Sequence, residues 1–205
     1  MLNLDQIILA VPAILLAISC HELGHGYVAY KLGDPTPKYQ GRLTLNPLAH
    51  LDPVGTIMLI LFRVGWAKPV MINSHYFKNK RQAALLVSLA GPMANVLLGW
   101  VFYNVLKISS VYLPYSAFSN TLLLFFLINV QVNLGLAAFN LIPIPPLDGS
   151  HILASLLPPK ASYAYARFAP YGRIVLIILL ISGGARFIMN PIYNVLSSLL
   201  IRLSL

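Results

Sequence analysis

The chain has 205 residues, of which 58% are hydrophobic and 9% are charged, and its mean hydropathy is +0.76. This composition excludes an ordinary soluble domain and predicts a single integral membrane domain over residues 1–205. The formal net charge of +9 comes from Lys and Arg residues that lie beside apolar segments. That placement favours membrane topology and contact with anionic lipid, and it argues against nucleic acid as a partner.

The first predicted element is a membrane helix over residues 4–30. Its apolar run leads directly into residues 21–25, His-Glu-Leu-Gly-His, an HExxH pattern that contains the only glutamate of the chain. At about 100° per residue, His21 and His25 project within about 40° of each other, so the two rings can share one metal ion with Glu22 alongside. An ionisable residue inside a membrane helix indicates a functional site. The pattern therefore predicts zinc hydrolase chemistry, against the alternative of a helix that merely carries polar rings on one face.

Between the first and second full-length spans, the sequence predicts short irregular structure. Gly and Pro residues end the first helix at 33–37, and β-like stretches follow at 38–45 and 66–73. Residues 54–62 are apolar, but nine residues cannot cross a membrane as a helix, so this segment is predicted to be re-entrant or interfacial. Any strands here must be sheltered by protein, because open sheet edges are not tolerated in lipid.

Two longer apolar segments follow, residues 83–105 and 122–142. Each is long enough to cross the hydrocarbon core, which is about 30 Å thick. The apolar stretches 174–181 and 187–201 predict one or two further helices. The predicted fold is an all-α, multi-pass transmembrane helical bundle with short membrane-associated β-strands and a re-entrant segment between its first two full-length spans.

The distribution of Lys and Arg predicts the orientation. Basic residues follow the first helix and precede the second full-length span, whereas only Lys107 lies between the second and third spans. Because basic loops are retained in the cytoplasm, the N-terminus is predicted to lie outside the cell membrane. His21 then lies toward the cytoplasmic half of the bilayer.

A catalytic zinc usually takes three protein ligands and keeps one position open, so a third ligand is needed beside the two histidines. Asp148 is the candidate, because it follows prolines that break the chain just after a full span and return it to membrane depth. His151 is the rival candidate. His50 and His75 are predicted to be hydrogen-bonded loop residues and not ligands.

Three separated motifs make a family resemblance specific. They are the HExxH pattern, Ala-Gly-Pro-Met-Ala-Asn at residues 90–95, and N-x-x-P-x-P-x-L-D-G at residues 140–149. Together they resemble the site-2 protease family of intramembrane zinc metalloproteases, in particular the compact bacterial and archaeal type without a PDZ domain. The resemblance covers residues 19–157.

The resemblance implies one zinc ion per chain and a peptide hydrolase mechanism. The implied site residues are the zinc ligands His21, His25 and Asp148, the general base Glu22, and Asn95 and Asn140 for substrate or transition-state binding. Asn129 and Asn133 share a helical face with Asn140, and for these two we expect ordinary hydrogen bonds between helices.

The implied function is hydrolysis of peptide bonds in or near transmembrane segments of membrane-protein substrates, in particular single-pass ones, as in regulated intramembrane proteolysis. An exposed strand edge at residues 66–73 would hold such a substrate by β-addition. Two alternatives stay open: a metal-handling transporter or channel, and a membrane scaffold without catalysis. The requirement for Glu22 distinguishes the protease from the transporter or channel, because hydrolysis needs a base and simple metal binding does not.

Overall fold

The computed structural model describes residues 4–52, 55 and 68–204. Within these residues the chain is nearly all helical, with two short 3₁₀ turns at Pro47–Ala49 and Ser74–Tyr76. The described helices are α1 (Leu4–Lys31), α2 (Thr36–Tyr39), α3 (Lys80–Tyr112), α4 (Ala117–Asn140), α5 (Asp148–Leu156), α6 (Pro159–Ala166), α7 (Ala169–Ile181) and α8 (Ala185–Arg202).

Three of the described helices are long and apolar enough to cross a membrane, and they are Gln6–Lys31, Lys80–Tyr112 and Ala117–Asn140. Helices α6 and α7 meet at an angle of 63° and provide a fourth span if the bent pair is counted as one. The predicted multi-pass helical fold is therefore confirmed. The tail, predicted to form one or two helices, contains α7 and α8.

A side-chain cap at its start and a proline beyond its end set the bounds of α3, which extends past the predicted apolar segment at both ends. The Asn79 side chain accepts a hydrogen bond from the Gln82 amide at 3.1 Å, which satisfies a free N–H group of the first turn. At the other end, α3 stops one residue before Leu113, which precedes a proline and takes an extended conformation. Hydropathy identifies only the apolar part of a helix that lies in lipid. The predicted segment therefore leaves out the more polar first and last turns of α3.

Helix α1 packs against both α3 and α4, and these two helices also pack against each other. The contacts are made by small side chains, and Ala13, Ala17 and Ala137 are all fully buried. Small residues let helix backbones approach closely, which matters in lipid because apolar burial gives little drive for helices to associate. This close packing brings polar side chains of the three helices to one place inside the bundle.

The structure also explains how the chain returns to the bundle after α4. Helix α4 ends at Asn140, and the proline-rich segment after it leads into α5, whose first residue is Asp148. Helix α5 packs against α3, and the Arg81 guanidinium of α3 donates to the carbonyls of Ser155 (2.5 Å) and Leu157 (2.7 Å) at the far end of α5. Asp148 is thereby held facing α1.

The short β-strands predicted at 38–45 and 66–73 are wrong within the described residues. The first stretch instead contains the end of α2 followed by turn and irregular structure, and residues 68–73 lead without ladder pairing into the second 3₁₀ turn. Residues 66–67, and all but Gly55 of the predicted re-entrant segment 54–62, lie outside the described residues.

The reason is that the hydrogen-bonded amides of residues 68–73 have separate acceptors and do not form a continuous ladder with one neighbouring strand. The Lys68 amide donates to the His50 carbonyl at 2.8 Å. Two further amides of this segment, those of Val70 and Asn73, donate to carboxylate side chains. Once these backbone groups are satisfied, a strand partner is no longer required.

Candidate metal centre and active site

Three atoms that could bind one metal ion meet between α1 and α5. His21 Nε2 lies 3.1 Å from His25 Nε2 and 3.1 Å from Asp148 Oδ2, and His25 Nε2 lies 3.3 Å from Asp148 Oδ2. Both histidines are buried, and Asp148 Oδ2 is buried without a hydrogen-bond partner. Such an atom, close to two ring nitrogens but bonded to neither, is suited to a metal ion.

The spacing of these atoms fits zinc. Four ligands at about 2.0–2.1 Å from a zinc ion, at the corners of a tetrahedron, lie about 3.3–3.4 Å from one another. The three observed separations of 3.1, 3.1 and 3.3 Å are close to the edges of that tetrahedron. Two imidazoles and one carboxylate are also a common ligand set of a catalytic zinc, which keeps its fourth position for water or substrate.

The far nitrogen of each histidine is held by the protein. His25 Nδ1 lies 2.7 Å from the carbonyl oxygen of Val87, and His21 Nδ1 lies 2.7 Å from Asn95 Oδ1. A backbone carbonyl only accepts, so His25 carries its proton on Nδ1 and its Nε2 lone pair faces the cluster. Partners of this kind fix the ring orientation of metal-binding histidines.

Glu22 lies beside the cluster on the same helix. Its Oε2 accepts a hydrogen bond from the Val70 amide at 3.0 Å. Glu22 and Val70 both line a cavity of about 500 Å³. The polar side chains around this cavity include His21, Glu22, His25, Asn140, Asp148 and His151. The carboxylate and the ligand set therefore face one common space, as a base and a metal must in order to act on the same substrate.

The wall of this cavity is anchored by a second carboxylate. Asp34, which is fully buried, accepts from the Thr36 amide through Oδ1 at 2.9 Å and from the Asn73 amide through Oδ2 at 2.7 Å. The Asn73 contact ties the end of α1 to the segment that carries Val70 and Ile72 into the cavity wall. Asp34 is a structural anchor that the sequence analysis did not single out.

We expect Asp34→Asn to destabilise the fold by about 1–3 kcal/mol, because the amide has one acceptor oxygen where the carboxylate has two, and one buried N–H group loses its partner. Thermal unfolding in detergent measures this loss. Zinc content should stay as in the parent chain, since the ligands lie on α1 and α5. A variant of unchanged stability would contradict the anchoring role.

The structure brings most of the predicted site residues together. Asn140 lines the cavity, and its Nδ2 donates to the Leu136 carbonyl at 3.0 Å. Asn95 is fully buried behind His21, which favours a supporting role over the substrate contact that the resemblance implies. His151 lines the cavity but is not among the three clustered ligands, so the geometry favours Asp148 over it as the third ligand.

The other two histidines lie apart from this cluster. His50 Nε2 lies 2.8 Å from the Thr44 carbonyl oxygen, and His75 Nδ1 lies 3.0 Å from Asn73 Oδ1. Both therefore have the hydrogen-bonded loop contacts that were predicted. Sequence reasoning missed the Val87 carbonyl and the Val70 amide, because backbone groups carry no residue-type signal.

Two histidines and an aspartate that converge beside a glutamate, inside a bundle of membrane-spanning helices, define a membrane-embedded metal-dependent hydrolase. Comparison with known proteins gives the family. Residues 9–122 and 108–182 match the model of Peptidase family M50. The chain belongs to Peptidase family M50, the site-2 protease family, and the resemblance drawn from its motifs is confirmed.

Curated relatives agree with this membership. The chain is 42% identical over 186 residues to "Putative zinc metalloprotease YwhC" of Bacillus subtilis, across 90% of this chain and 85% of YwhC. It is 32% identical over 183 residues to the similarly named Rip2 of Mycolicibacterium smegmatis, across 85% of this chain and 67% of Rip2. The zinc metalloprotease MJ0392 of Methanocaldococcus jannaschii is 29% identical over 183 residues, across 87% of this chain and 44% of that protein. No solved structure matches the chain at a significant level.

The prediction of a zinc-dependent protease is thereby confirmed at the level of the family. Neither the transporter nor the scaffold alternative finds support among these relatives.

Proposed function

We propose that the chain hydrolyses peptide bonds in or near transmembrane segments of membrane proteins, with zinc held by His21, His25 and Asp148 and with Glu22 as the general base. The observation that carries this proposal is the convergence of three ligand atoms beside Glu22 on one cavity inside a membrane bundle. We further propose single-pass proteins as the substrates, as in regulated intramembrane proteolysis.

The roles of the residues follow from their chemistry. Bound zinc supplies Lewis acidity toward a water molecule and a peptide carbonyl. Glu22 accepts the proton of the attacking water and passes it to the leaving amide nitrogen as the peptide bond breaks. Asn140 lies on the cavity wall, and the part of its amide that does not donate to the Leu136 carbonyl would bind the substrate backbone.

The location and the domain organisation are also part of the proposal. Residues 1–205 form one domain of the cell membrane, with the N-terminus outside and the metal site toward the cytoplasmic half. The support is the placement of Lys and Arg beside the spans. The orientation is tested by labelling intact cells with a membrane-impermeant reagent that reacts with single cysteines, placed before α1 or in the α3–α4 turn. We expect labelling at both positions, because both lie outside in this orientation. If neither position is labelled, the proposed orientation is wrong.

The ligand assignment predicts a specific loss of zinc. The parent chain should bind one zinc ion per chain in detergent and release discrete fragments from a panel of single-pass membrane segments, detected by mass spectrometry. Asp148→Asn should weaken zinc binding by about 10²-fold or more and abolish cleavage, because a neutral amide oxygen replaces an anionic ligand. Asp52→Asn is the matched control, since Asp52 Oδ1 accepts from the Gly55 amide, away from the cluster. Equal zinc affinity in Asp148→Asn would remove this residue from the ligand set.

A further inference from the structure

A chain of side-chain amides runs from His21 into the interface between α3 and α4. Asn95 Oδ1 lies 2.7 Å from His21 Nδ1, and Asn95 Nδ2 donates to the Ala17 carbonyl at 2.9 Å and to Asn133 Oδ1 at 3.0 Å. Asn133 Nδ2 in turn donates to the Asn129 carbonyl at 2.9 Å. All three asparagines are fully buried, so these hydrogen bonds are little weakened by solvent.

The backbone carbonyls in this chain fix the direction of each hydrogen bond. A carbonyl only accepts, so Asn133 must turn its NH₂ group toward Asn129 and its oxygen toward Asn95. Asn95 then uses its own NH₂ group for Asn133 and for the Ala17 carbonyl, and its oxygen is left as the acceptor for His21. His21 must therefore carry its proton on Nδ1, and the lone pair of Nε2 is directed toward Asp148 and His25.

We propose that Asn95 and Asn133 are positioning residues, which hold His21 in the tautomer and orientation required for zinc binding. The proposal rests on the proposed role of His21 as a ligand and deepens it. Asn95 contacts His21 at Nδ1, whereas the clustered ligand atom of that ring is Nε2. Through them α4, which supplies none of the three clustered ligands, controls the affinity of the site for its metal.

The hydrogen-bond partners of the two histidine rings differ in whether a mutation can remove them. The partner of His25 is the Val87 backbone carbonyl, which side-chain substitution leaves in place. The partner of His21 is a side chain and is removed by mutation. Asn95→Leu keeps the number and branching of the side-chain heavy atoms but deletes the acceptor, whereas Asn95→Asp keeps an acceptor for His21 and gives a carboxylate–histidine–zinc arrangement.

The experiment measures zinc affinity by competition with a chelator in the full-length protein in detergent. Asn95→Leu should bind zinc about 10–100-fold more weakly than the parent chain, which is the usual effect of losing such a partner. Asn133→Leu should show a smaller loss, because Asn95 keeps its bond to Ala17. Asn95→Asp should lie closer to the parent chain than Asn95→Leu. The absorption bands of bound Co²⁺ should shift in Asn95→Leu, as the geometry of coordination changes.

The matched control is Asn104→Leu, which changes another buried asparagine of α3 whose side chain donates to the Trp100 carbonyl. A purely structural role for Asn95 would lower the stability of the metal-free protein and leave its zinc affinity equal to that of this control. That result overturns the inference. If Asn95→Leu does not fold, Asn133→Leu decides by the same comparison. Failure of the parent chain to bind zinc would instead refute the proposed function, so the two failures are distinguishable.

Discussion

Glu22→Gln is expected to leave zinc bound and to lower the rate of peptide cleavage by about 10²–10⁴-fold, the usual contribution of a positioned general base. The glutamine retains an oxygen that accepts from the Val70 amide, so the cavity wall should stay in place. What the substitution removes is the group that takes the proton. Zinc content by elemental analysis, together with cleavage of single-pass membrane segments, measures the two effects separately.

Asp148→Asn provides the contrast for this result, because it should lose zinc and cleavage together. Cleavage by Glu22→Gln at the parental rate, with zinc bound, would show that Glu22 is not the base. Loss of zinc from Glu22→Gln would place Glu22 in the metal site itself.

The second large effect is expected for Gly91→Ala. A Cβ atom at Gly91 would lie 2.6 Å from His25 Cε1 and 2.7 Å from His21 Cε1, and it would also contact His25 Nε2. Real Cβ atoms essentially never approach other atoms this closely. The rings cannot retreat without breaking their hydrogen bonds to Asn95 and the Val87 carbonyl. Displacement of the rings should cost about 10²-fold or more in activity, with a parallel loss of zinc affinity.

Local helix weakening cannot account for such a loss, since alanine favours a helix interior by about 1 kcal/mol over glycine. Gly135→Ala in α4 is the matched control, because nothing lies within 4 Å of a Cβ atom added there. Both variants are compared by zinc affinity, cleavage rate and thermal unfolding of the metal-free protein. Parental zinc affinity in Gly91→Ala would contradict the close approach of α1 and α3 at the metal centre.

Local patterns account for the parts of the fold and site that were predicted correctly. The predicted first helix at 4–30 corresponds to Leu4–Lys31, and the apolar segments at 83–105 and 122–142 lie largely within α3 and α4. Helical spacing alone places His21 and His25 on one face. Asp148 could be predicted because prolines break the chain directly before it, and the structure adds that its rival His151 lies outside the three-residue cluster.

The β-strand prediction failed because a strand needs a partner that local sequence does not specify. Residues 68–73 have the Pro and Gly context of an irregular segment, and their amides are satisfied by single acceptors such as Glu22 and Asp34. Those acceptors are distant in sequence, so no local sequence pattern predicts these hydrogen bonds. The hydrogen bond between Asn95 and His21 was not predicted for the same reason, because the two residues are far apart in the sequence.

By itself, the sequence determined that the chain enters a membrane, where its long helices lie and which side chains could hold a metal, because hydropathy and helical periodicity are properties of neighbouring residues. Only the tertiary structure decided which carbonyl and amide groups orient the rings and why residue 91 must lack a side chain. These features depend on contacts between α1, α3, α4 and α5, and such contacts are set by close packing across the bundle.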